Sequence, residues 1–393
     1  MSVDISESLR KAYLGGVIER LGQQLDLTET QRQTAEDRYK AVGAWISGSD
    51  DPILRTATIY AHGSFALGTI NKPLSYDEYD VDLACLIAGL SSSCSAAALK
   101  GAFGNRLKEN ARYARILEEK QRCWRLNFAG EFHMDVTPSI PNPACMHEGE
   151  LVPDKKLREW KPTNPKGYRR WFEQRAGLQP RMRQRFADQL QKRADIEPFP
   201  EYRPLQGILR RSVQIAKRHR DIYFLNRDPS LAPISIIITT LAAQSYAFCV
   251  RQFEFDSELD VLSATIRLMP TFVQIGAAGG RRQWFVPNET TNDENFAEKW
   301  NQDAKLATAF YDWHAAAVST IDTIIAMRGL DHLSKGLGEA FGHEPVTRVI
   351  DSITHTISSA RSAGRLVVAP SVGLAVASIP GATVRSNTFY GAG

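Results

Sequence analysis

Three aspartates in two apolar segments are the residues of this 393-residue sequence best placed to do chemistry. Asp80 and Asp82 stand two positions apart in the run 79–83, and a strand would direct both carboxylates to one face. Asp135 lies in a second strand-like run, 133–136, and could supply a third. Like charges on an apolar strand are costly unless a cation sits between them, and hard divalent ions prefer oxygen ligands. The ordered triple predicts a site for two Mg²⁺ ions, with Mn²⁺ as an alternative, suited to in-line phosphoryl or nucleotidyl displacement. The competing interpretation is a solvated acidic edge.

A glycine–serine pair, Gly63-Ser64, sits where a strand should hand over to a helix. Glycine lets the backbone approach a phosphate, and the following amides and the Ser64 hydroxyl can then hold it. The pair is a weak signal by itself, because many plain turns contain it. Ahead of the aspartates it predicts a phosphate-binding turn.

The elements that must position these residues are strands early in the chain and helices later. Alternation predicts strands over residues 56–60, 79–87, 123–128 and 131–137, after two helices within 5–47. This order indicates an α+β chain.

The remainder of the chain is expected to be irregular and then helical. Residues 141–165 contain five prolines and little periodicity, which predicts an irregular segment. The apolar stretch 231–250 is diluted by polar residues, so a buried core helix is favoured over a membrane span. The last thirty residues carry almost no charge and are interpreted as a flexible tail. The expected organisation is a catalytic lobe with N-terminal helices at 1–200, a helical lobe at 201–362 and a tail at 363–393.

Composition excludes several classes of protein. The 48 Lys+Arg and 44 Asp+Glu give a net charge of +4, which excludes a histone-like nucleic-acid coat, and an apolar fraction of 43% excludes wholesale disorder. Five scattered cysteines without a CxxC pair predict neither a disulfide framework nor a zinc site, and no secretory signal is seen, so a cytoplasmic location is expected. Residues 151–220 carry +12 and the remainder −8. This local excess indicates either a surface for a triphosphate or polyanion, or solvated helix faces.

The sequence resembles the DNA-polymerase-β-like nucleotidyltransferases, and within them the bacterial cGAS/DncV-like nucleotidyltransferases (CD-NTases) of CBASS anti-phage defence. The resemblance covers most of residues 10–360, with separate motifs in the same order. The motifs are Gly63-Ser64-Phe65-Ala66-Leu67-Gly68-Thr69, Asp80-Val81-Asp82-Leu83, Met134-Asp135-Val136-Thr137-Pro138, Asn164-Pro165-Lys166-Gly167-Tyr168 with Trp171-Phe172, Pro204-Leu205-Gln206, Lys217-Arg218-His219-Arg220-Asp221, Pro233-Ile234-Ser235-Ile236, and Glu294-Asn295-Phe296-Ala297 with Trp300.

The resemblance implies a role for each residue of the predicted site. Gly63 and Ser64 would grip the donor triphosphate, and Asp80 and Asp82 would ligate both metals. Asp135 would complete one metal site and help to deprotonate the attacking ribose hydroxyl.

Two residues of the later helices are added to the site by the resemblance. Lys217 matches a lysine of the helical lobe that reaches the phosphates, and Ser235 matches a serine at a helix start. The alternatives are a solvated surface cation for Lys217 and a simple N-cap for Ser235.

The implied protein is a bilobed enzyme with a mixed β-sheet catalytic lobe and a helical C-terminal lobe. It would join ATP, GTP or other nucleoside triphosphates into a cyclic di- or trinucleotide that switches on a downstream effector. The alternatives are nucleotide transfer to a protein, RNA or small molecule, and a degenerate nucleotidyltransferase fold that only binds RNA or a ligand. No membrane association is expected, and nucleic-acid binding stays open.

Two further features of the sequence bear on partners. The His/Cys cluster of the zinc insertion in animal cyclic GMP-AMP synthases is missing, because Cys145 and His147 alone do not make a tetrahedral site. The chain ends in small residues up to Gly393, which resembles the C-termini of CD-NTases conjugated by an E1/E2-like partner. The alternative is an ordinary mobile terminus.

Overall fold

The computed structural model describes residues 5–74, 78–154, 159–183, 207–369, 373–376 and 382–384. The chain divides into two compact units. Residues Asp26–Gln174 and Gln274–Asp303 form the first, here the sheet unit. Met1–Leu25, Arg175–Val273 and Ala304–Gly393 form the second, here the helical unit. The boundaries predicted from the sequence (1–200, 201–362 and 363–393) stay a prediction. The two compact units group the N-terminal residues up to Leu25 with the helical unit, and Gln274–Asp303 with the sheet unit.

The described α-helices and β-strands, numbered in chain order, are as follows. The helices are α1 (Ile5–Leu25), α2 (Glu29–Ser47), α3 (Gly63–Leu67), α4 (Ala96–Glu109), α5 (Ala111–Ala114), α6 (Pro165–Ala176), α7 (Ile208–Phe224), α8 (Ser235–Gln252), α9 (Glu258–Arg267), α10 (Ala304–Ala326), α11 (Leu330–Phe341) and α12 (His343–Ser362). The strands are β1 (Ala57–His62), β2 (Tyr79–Ile87), β3 (Leu117–Glu119), β4 (Trp124–Phe128), β5 (Phe132–Pro141), β6 (Glu150–Asp154), β7 (Glu159–Thr163), β8 (Arg181–Met182), β9 (Glu254–Phe255), β10 (Gln274–Ala278), β11 (Arg281–Phe285), β12 (Leu366–Ala369), β13 (Gly373–Val376) and β14 (Ala382–Thr383).

The sheet unit is built on one mixed β-sheet with the strand order β1-β2-β5-β4-β3, which β6 and then β7 extend from β5. Strands β2 and β5 run parallel, whereas the other neighbouring pairs are antiparallel. A parallel pair needs a long crossover connection, and here α4, α5, β3 and β4 lie between the two strands in the chain. The predicted α+β class is confirmed.

Alternation along β2 and β5 separates an apolar face of the sheet from a polar one. Val81, Leu83, Met134 and Val136 are at most 1% exposed and join one core with Phe103 of α4. Burying each such side chain stabilises the fold by about 1.5–3 kcal/mol. Because successive side chains point to opposite faces, the acidic residues between them are held on the other face.

The segment expected to be irregular contains two strands. Residues 141–165 include β6 and β7, which pair antiparallel with Leu151 opposite Pro162 and Pro153 opposite Trp160. Proline cannot donate to a strand ladder, so its presence argued against a strand, but near a sheet edge it is tolerated. The prediction of an irregular segment was wrong for these ten residues.

The helical unit has an aromatic core. Tyr246, Phe310, Trp313 and Phe341 are among its largest side chains below 2% exposure. Helix α8, within the apolar stretch 231–250 and just beyond it, is buried along most of its length, so the predicted core helix is confirmed. None of the described helices is both long and apolar enough to cross a membrane.

A buried ion pair joins two helices of the helical unit. Glu19 of α1 and Arg211 of α7 are 0% and 3% exposed. Arg211 donates from Nε and Nη2 to the two carboxylate oxygens of Glu19, at 3.0 and 2.9 Å. Arg211 belongs to the +12 segment, so part of that positive charge lies inside the fold rather than on solvated helix faces.

The C-terminal residues differ from the expected flexible tail where the structure describes them. Strand β12 pairs antiparallel with β13 and with β14. Leu366 and Val367 are 0% and 4% exposed. Apolar and β-branched residues favour extended backbone, and the ladder supplies partners for their amide groups. The low charge of this segment was interpreted as the mark of a flexible tail, but its described residues form paired strands.

Candidate active site

The three predicted aspartates lie on one face of the sheet. In the parallel pair β2–β5, Asp82 stands opposite Asp135, and Asp80 stands opposite His133. Residues paired in register point to the same side of a sheet, as do residues two apart on one strand. The register therefore directs the carboxylates of Asp80, Asp82 and Asp135 to one face, as the sequence pattern predicts.

Arg125 of β4 is the cation bonded to two of these carboxylates. It stands opposite Asp135 in the antiparallel pair β4–β5. Its Nε and Nη2 donate to Oδ1 and Oδ2 of Asp135 at 2.7 and 2.8 Å, and Nη2 also donates to Oδ1 of Asp80 at 3.1 Å. These hydrogen bonds raise the pKa of Arg125. Partial burial raises the pKa of Asp80, and the charge of Arg125 opposes that rise.

The turn after β1 brings its backbone against Asp82. His62, the last residue of β1, pairs with Asp82 in register, and Gly63 begins the short helix α3 with φ of +62°. A Cβ atom on Gly63 would lie 2.0 Å from Oδ2 of Asp82. Only glycine accommodates both the positive φ and this approach. Ser64 follows it, partly exposed, and its carbonyl oxygen accepts from the amide of Thr69 at 3.0 Å.

A buried polar cluster lies on the same face, farther along the strands. Glu150 is 2% exposed and accepts from the Tyr60 hydroxyl at 2.5 Å and from the Ser139 hydroxyl at 2.6 Å. Burial is the largest cause of a raised pKa at Tyr60, with Glu150 adding to it. Burial also lowers the pKa of His62 to about 4, and its buried Nε2 makes no hydrogen bond to any described residue. His62 is therefore a neutral imidazole beside the acidic face.

The three aspartates are chemically suited to bind a hard divalent cation, although in the structure the guanidinium of Arg125 bonds to two of them. Three carboxylates on one sheet face offer the oxygen ligands that Mg²⁺ prefers. Over the described part of the chain, however, no group of three His, Cys, Asp or Glu side chains is gathered so as to hold a metal. At Asp135, both carboxylate oxygens accept hydrogen bonds from Arg125.

The motif after β7 fastens the late hairpin segment within the sheet unit. Asn164 Oδ1 accepts from the amide of Gly167 at 2.8 Å, and its Nδ2 donates to the carbonyl of Thr290 at 2.7 Å. Tyr168 packs edge-on to Phe296 with ring centroids 5.9 Å apart. The motif that begins at Asn164 and the motif that contains Phe296 are thus far apart in the sequence but pack together in the sheet unit.

Cys145 and His147, the two residues weighed above as zinc ligands, both contact the group formed by Asn164 and Thr290. Cys145 is buried, and its thiol donates to the carbonyl of Thr290 at 3.7 Å. The carbonyl of His147 accepts from Asn164 Nδ2 at 2.9 Å.

Lys217 and Ser235 both lie in the helical unit. Lys217, on α7, is 7% exposed, so it is not a solvated surface cation. Ser235 is the first residue of α8, but the N-cap is Ile234, so the simple N-cap interpretation is wrong. The Ser235 hydroxyl instead accepts from Nη1 of Arg220 at 3.2 Å, and the same Nη1 donates to the carbonyl of Pro233 at 2.8 Å.

The predicted conjugation residue, Gly393, lies outside the described residues.

Comparison with known proteins decides the family. The Second Messenger Oligonucleotide or Dinucleotide Synthetase (SMODS) domain matches residues 17–176. A protein of Roseivirga ehrenbergii named c-di-GMP synthase is 30% identical over 388 residues, which cover 97% of this chain and 98% of that protein. The chain belongs to the CD-NTase family. A second relative, the cyclic dinucleotide synthase CdnG of Bradyrhizobium diazoefficiens, is 25% identical over 409 residues, covering 96% and 94% of the two chains.

The fold of this CD-NTase also matches solved structures. The structure of the Bradyrhizobium diazoefficiens CD-NTase CdnG in complex with GTP aligns with a TM-score of 0.64 at 21% identity, covering 86% of this chain and 97% of that one. This match confirms the predicted nucleotidyltransferase fold. The family and the two relatives confirm the predicted enzyme class, a nucleotidyltransferase that makes cyclic dinucleotides.

The sequence pattern did not single out two charged residues on this face of the sheet, Arg125 and Glu150. Arg125 lies on a strand with apolar Trp124 and Leu126 on either side, and this alternation places it on the face opposite the core. That pattern was available in the sequence, but the strand register that sets it opposite Asp135 was not. Glu150 falls in the segment expected to be irregular, so nothing in the sequence linked it to Tyr60.

Proposed function

We propose that this CD-NTase joins two GTP molecules into cyclic di-GMP and releases two pyrophosphates. The similarity to a c-di-GMP synthase over nearly the whole of both chains supports the product, and the CdnG structure with bound GTP supports the substrate. The observation that carries the proposal is the register of Asp82 opposite Asp135, which assembles the acidic site on one face of the sheet.

Each step would form one phosphodiester bond. A ribose hydroxyl oxygen attacks the α-phosphorus of the donor, the bond to pyrophosphate breaks, and the hydroxyl proton leaves to a base. Asp135, 17% exposed in its side chain, is the carboxylate that we propose for the base. Two such steps close the ring, and the second uses the triphosphate of the linear intermediate.

The positions of Gly63 and Ser64 suit the donor triphosphate. The close approach of Gly63 to Asp82 leaves no side chain between the turn and the acids. Backbone amides of the turn and the Ser64 hydroxyl would bind phosphate oxygens. For Lys217 and Ser235, the phosphate contact that the family resemblance implies stays a prediction.

Asp80, Asp82 and Asp135 would hold Mg²⁺, two ions by the family's pattern, with Mn²⁺ as a substitute. The bound ions would neutralise charge on the triphosphate and lower the pKa of the attacking hydroxyl.

In the cell, the product would act as a second messenger that activates an effector in anti-phage defence. The C-terminal glycine, Gly393, would be the point of conjugation to an E1/E2-like partner. A chain without residues 391–393 should keep synthesis in vitro but form no conjugates, and normal conjugates from that chain would refute this part.

Purified protein incubated with each nucleotide tests the activity. GTP alone with Mg²⁺ should give a phosphatase-resistant product with the mass of cyclic di-GMP, and two pyrophosphates for each. Replacing Asp80 and Asp82 by Ala should abolish it, whereas Asp256→Ala, which removes a carboxylate paired with Arg183 in the helical unit, should not. Full turnover by the double variant would refute the site, and product from ATP but not from GTP would refute the substrate.

A further inference from the structure

The guanidinium of Arg125 forms hydrogen bonds with two of the three aspartates, Asp135 and Asp80. It donates two hydrogen bonds to Asp135, both within 2.8 Å, and one to Asp80. A parallel two-bond contact of this kind is the strong geometry for arginine and carboxylate. It also takes both oxygens of the residue that would have to coordinate a metal.

The contact is partly accessible to solvent. The side chain of Arg125 is 22% exposed, that of Asp135 is 17% exposed and that of Asp80 is 55% exposed. Water can reach these groups, so an incoming hydrated cation can exchange with the guanidinium. A fully buried pair would not offer this route.

The charges of the guanidinium and of a divalent cation oppose one another. Both are attracted to the same carboxylates, and at a separation of about 5 Å they repel each other even when screened as in bulk water, with a dielectric constant of about 80. Removing the guanidinium charge should therefore strengthen binding of a divalent ion by about tenfold or more.

We propose that Arg125 is a positioning residue that holds Asp135 and Asp80 in place without metal and is displaced from Asp135 when a divalent cation binds. The proposal rests on the assignment of the three aspartates as metal ligands. Arg125 thereby lowers the affinity of the metal-free site for a divalent cation. It also keeps the carboxylates of Asp135 and Asp80 in position before metal and nucleotide bind.

Binding of Mn²⁺ to the nucleotide-free protein, followed by electron paramagnetic resonance of free Mn²⁺, tests the proposal without catalysis. Arg125→Gln should bind Mn²⁺ about tenfold more tightly than the wild type. Arg183→Gln is the matched control, because Arg183 makes a similar contact with Asp256 in the helical unit, at 2.8 Å, and loses the same charge. Its Mn²⁺ affinity should equal that of the wild type.

Asp82→Asn separates the failure of this proposal from failure of the metal assignment. It should weaken Mn²⁺ binding in both the wild-type and the Arg125→Gln backgrounds. If Asp82→Asn has no effect, the metal assignment fails, and the inference about Arg125 falls with it. If Asp82→Asn weakens binding but Arg125→Gln binds no more tightly than the wild type, only the inference about Arg125 is overturned.

A second variant covers the case in which Arg125→Gln does not fold. Lysine keeps the charge but cannot donate two parallel hydrogen bonds to one carboxylate. Arg125→Lys should bind Mn²⁺ more tightly than the wild type, by about threefold, because one oxygen of Asp135 becomes available. Wild-type affinity in that variant would overturn the proposal.

Discussion

Replacing Gly63 by Ala should disable the acidic site while leaving the fold intact. The new Cβ would lie 2.0 Å from Oδ2 of Asp82, and real Cβ atoms essentially never come within 3.0 Å of another heavy atom, so the carboxylate must retreat by about 1 Å. The positive φ of +62° adds backbone strain of about 1–2 kcal/mol for a residue with a Cβ. A displacement of about 1 Å at a reacting centre costs about a hundredfold in rate.

Gly130 provides the matched control for this substitution. It has φ of +74° in the turn between β4 and β5, and a Cβ there would meet nothing within 4 Å. Gly130→Ala should therefore cost the same backbone strain, about 1–2 kcal/mol, without moving an aspartate.

Two measurements separate the effects of these variants. Urea denaturation should show both to be destabilised by about 1–2 kcal/mol, with Gly63→Ala slightly the worse because of the added contact. Pyrophosphate release from GTP should fall by about a hundredfold in Gly63→Ala and change by less than about twofold in Gly130→Ala. Equal activity of the two folded variants would refute the argument that Gly63 is required for the approach to Asp82.

The structure supports three further predictions about stability. Burial lowers the pKa of His219 to about 4, whereas an unfolded histidine titrates near 6.5, so stability should fall as pH drops from 6.5 towards 4. Between pH 7.5 and pH 5 the loss through His219 should be about 2 kcal/mol by urea denaturation, and a His219→Gln variant that loses as much as the wild type would contradict this. Glu19→Gln should cost about 3–5 kcal/mol because it leaves Arg211 charged and buried, and a loss below about 1 kcal/mol in the same assay would count against it. Tyr60→Phe removes a donor to buried Glu150 and should cost about 1–3 kcal/mol, where an unchanged midpoint of unfolding would be the contrary result.

Local patterns were enough to predict the parts of the fold that carry the site. The run from Tyr79 to Ile87 has the pattern of a buried strand, so β2 was predicted with the same bounds that the structure shows. The two-residue spacing of Asp80 and Asp82 then determines that they share a face. Asp135 follows from the same reasoning on β5.

Features that depend on contacts between distant segments could not be predicted. The ion pair of Glu19 and Arg211 joins residues 192 positions apart, and charge counting placed such arginines on solvated faces or at a polyanion site. Strand β6 contains Pro153, and local propensity argued against it, whereas pairing with β5 and β7 outweighs that preference. The opposition of Arg125 and Asp135 required the register of β4 and β5.

Two arginine–carboxylate contacts in this chain have similar hydrogen-bond geometry but different surroundings. Arg211 and Glu19 have side chains that are 4% and 0% exposed, so neither ion can be hydrated and breaking the pair strands a charge in the core. Arg125 and Asp135 are 22% and 17% exposed, so water can replace each lost bond while a cation exchanges. The depth of burial thus makes the first contact a fixed part of the helical unit. It leaves the second contact open to exchange, as our proposal that a divalent ion displaces Arg125 from Asp135 requires.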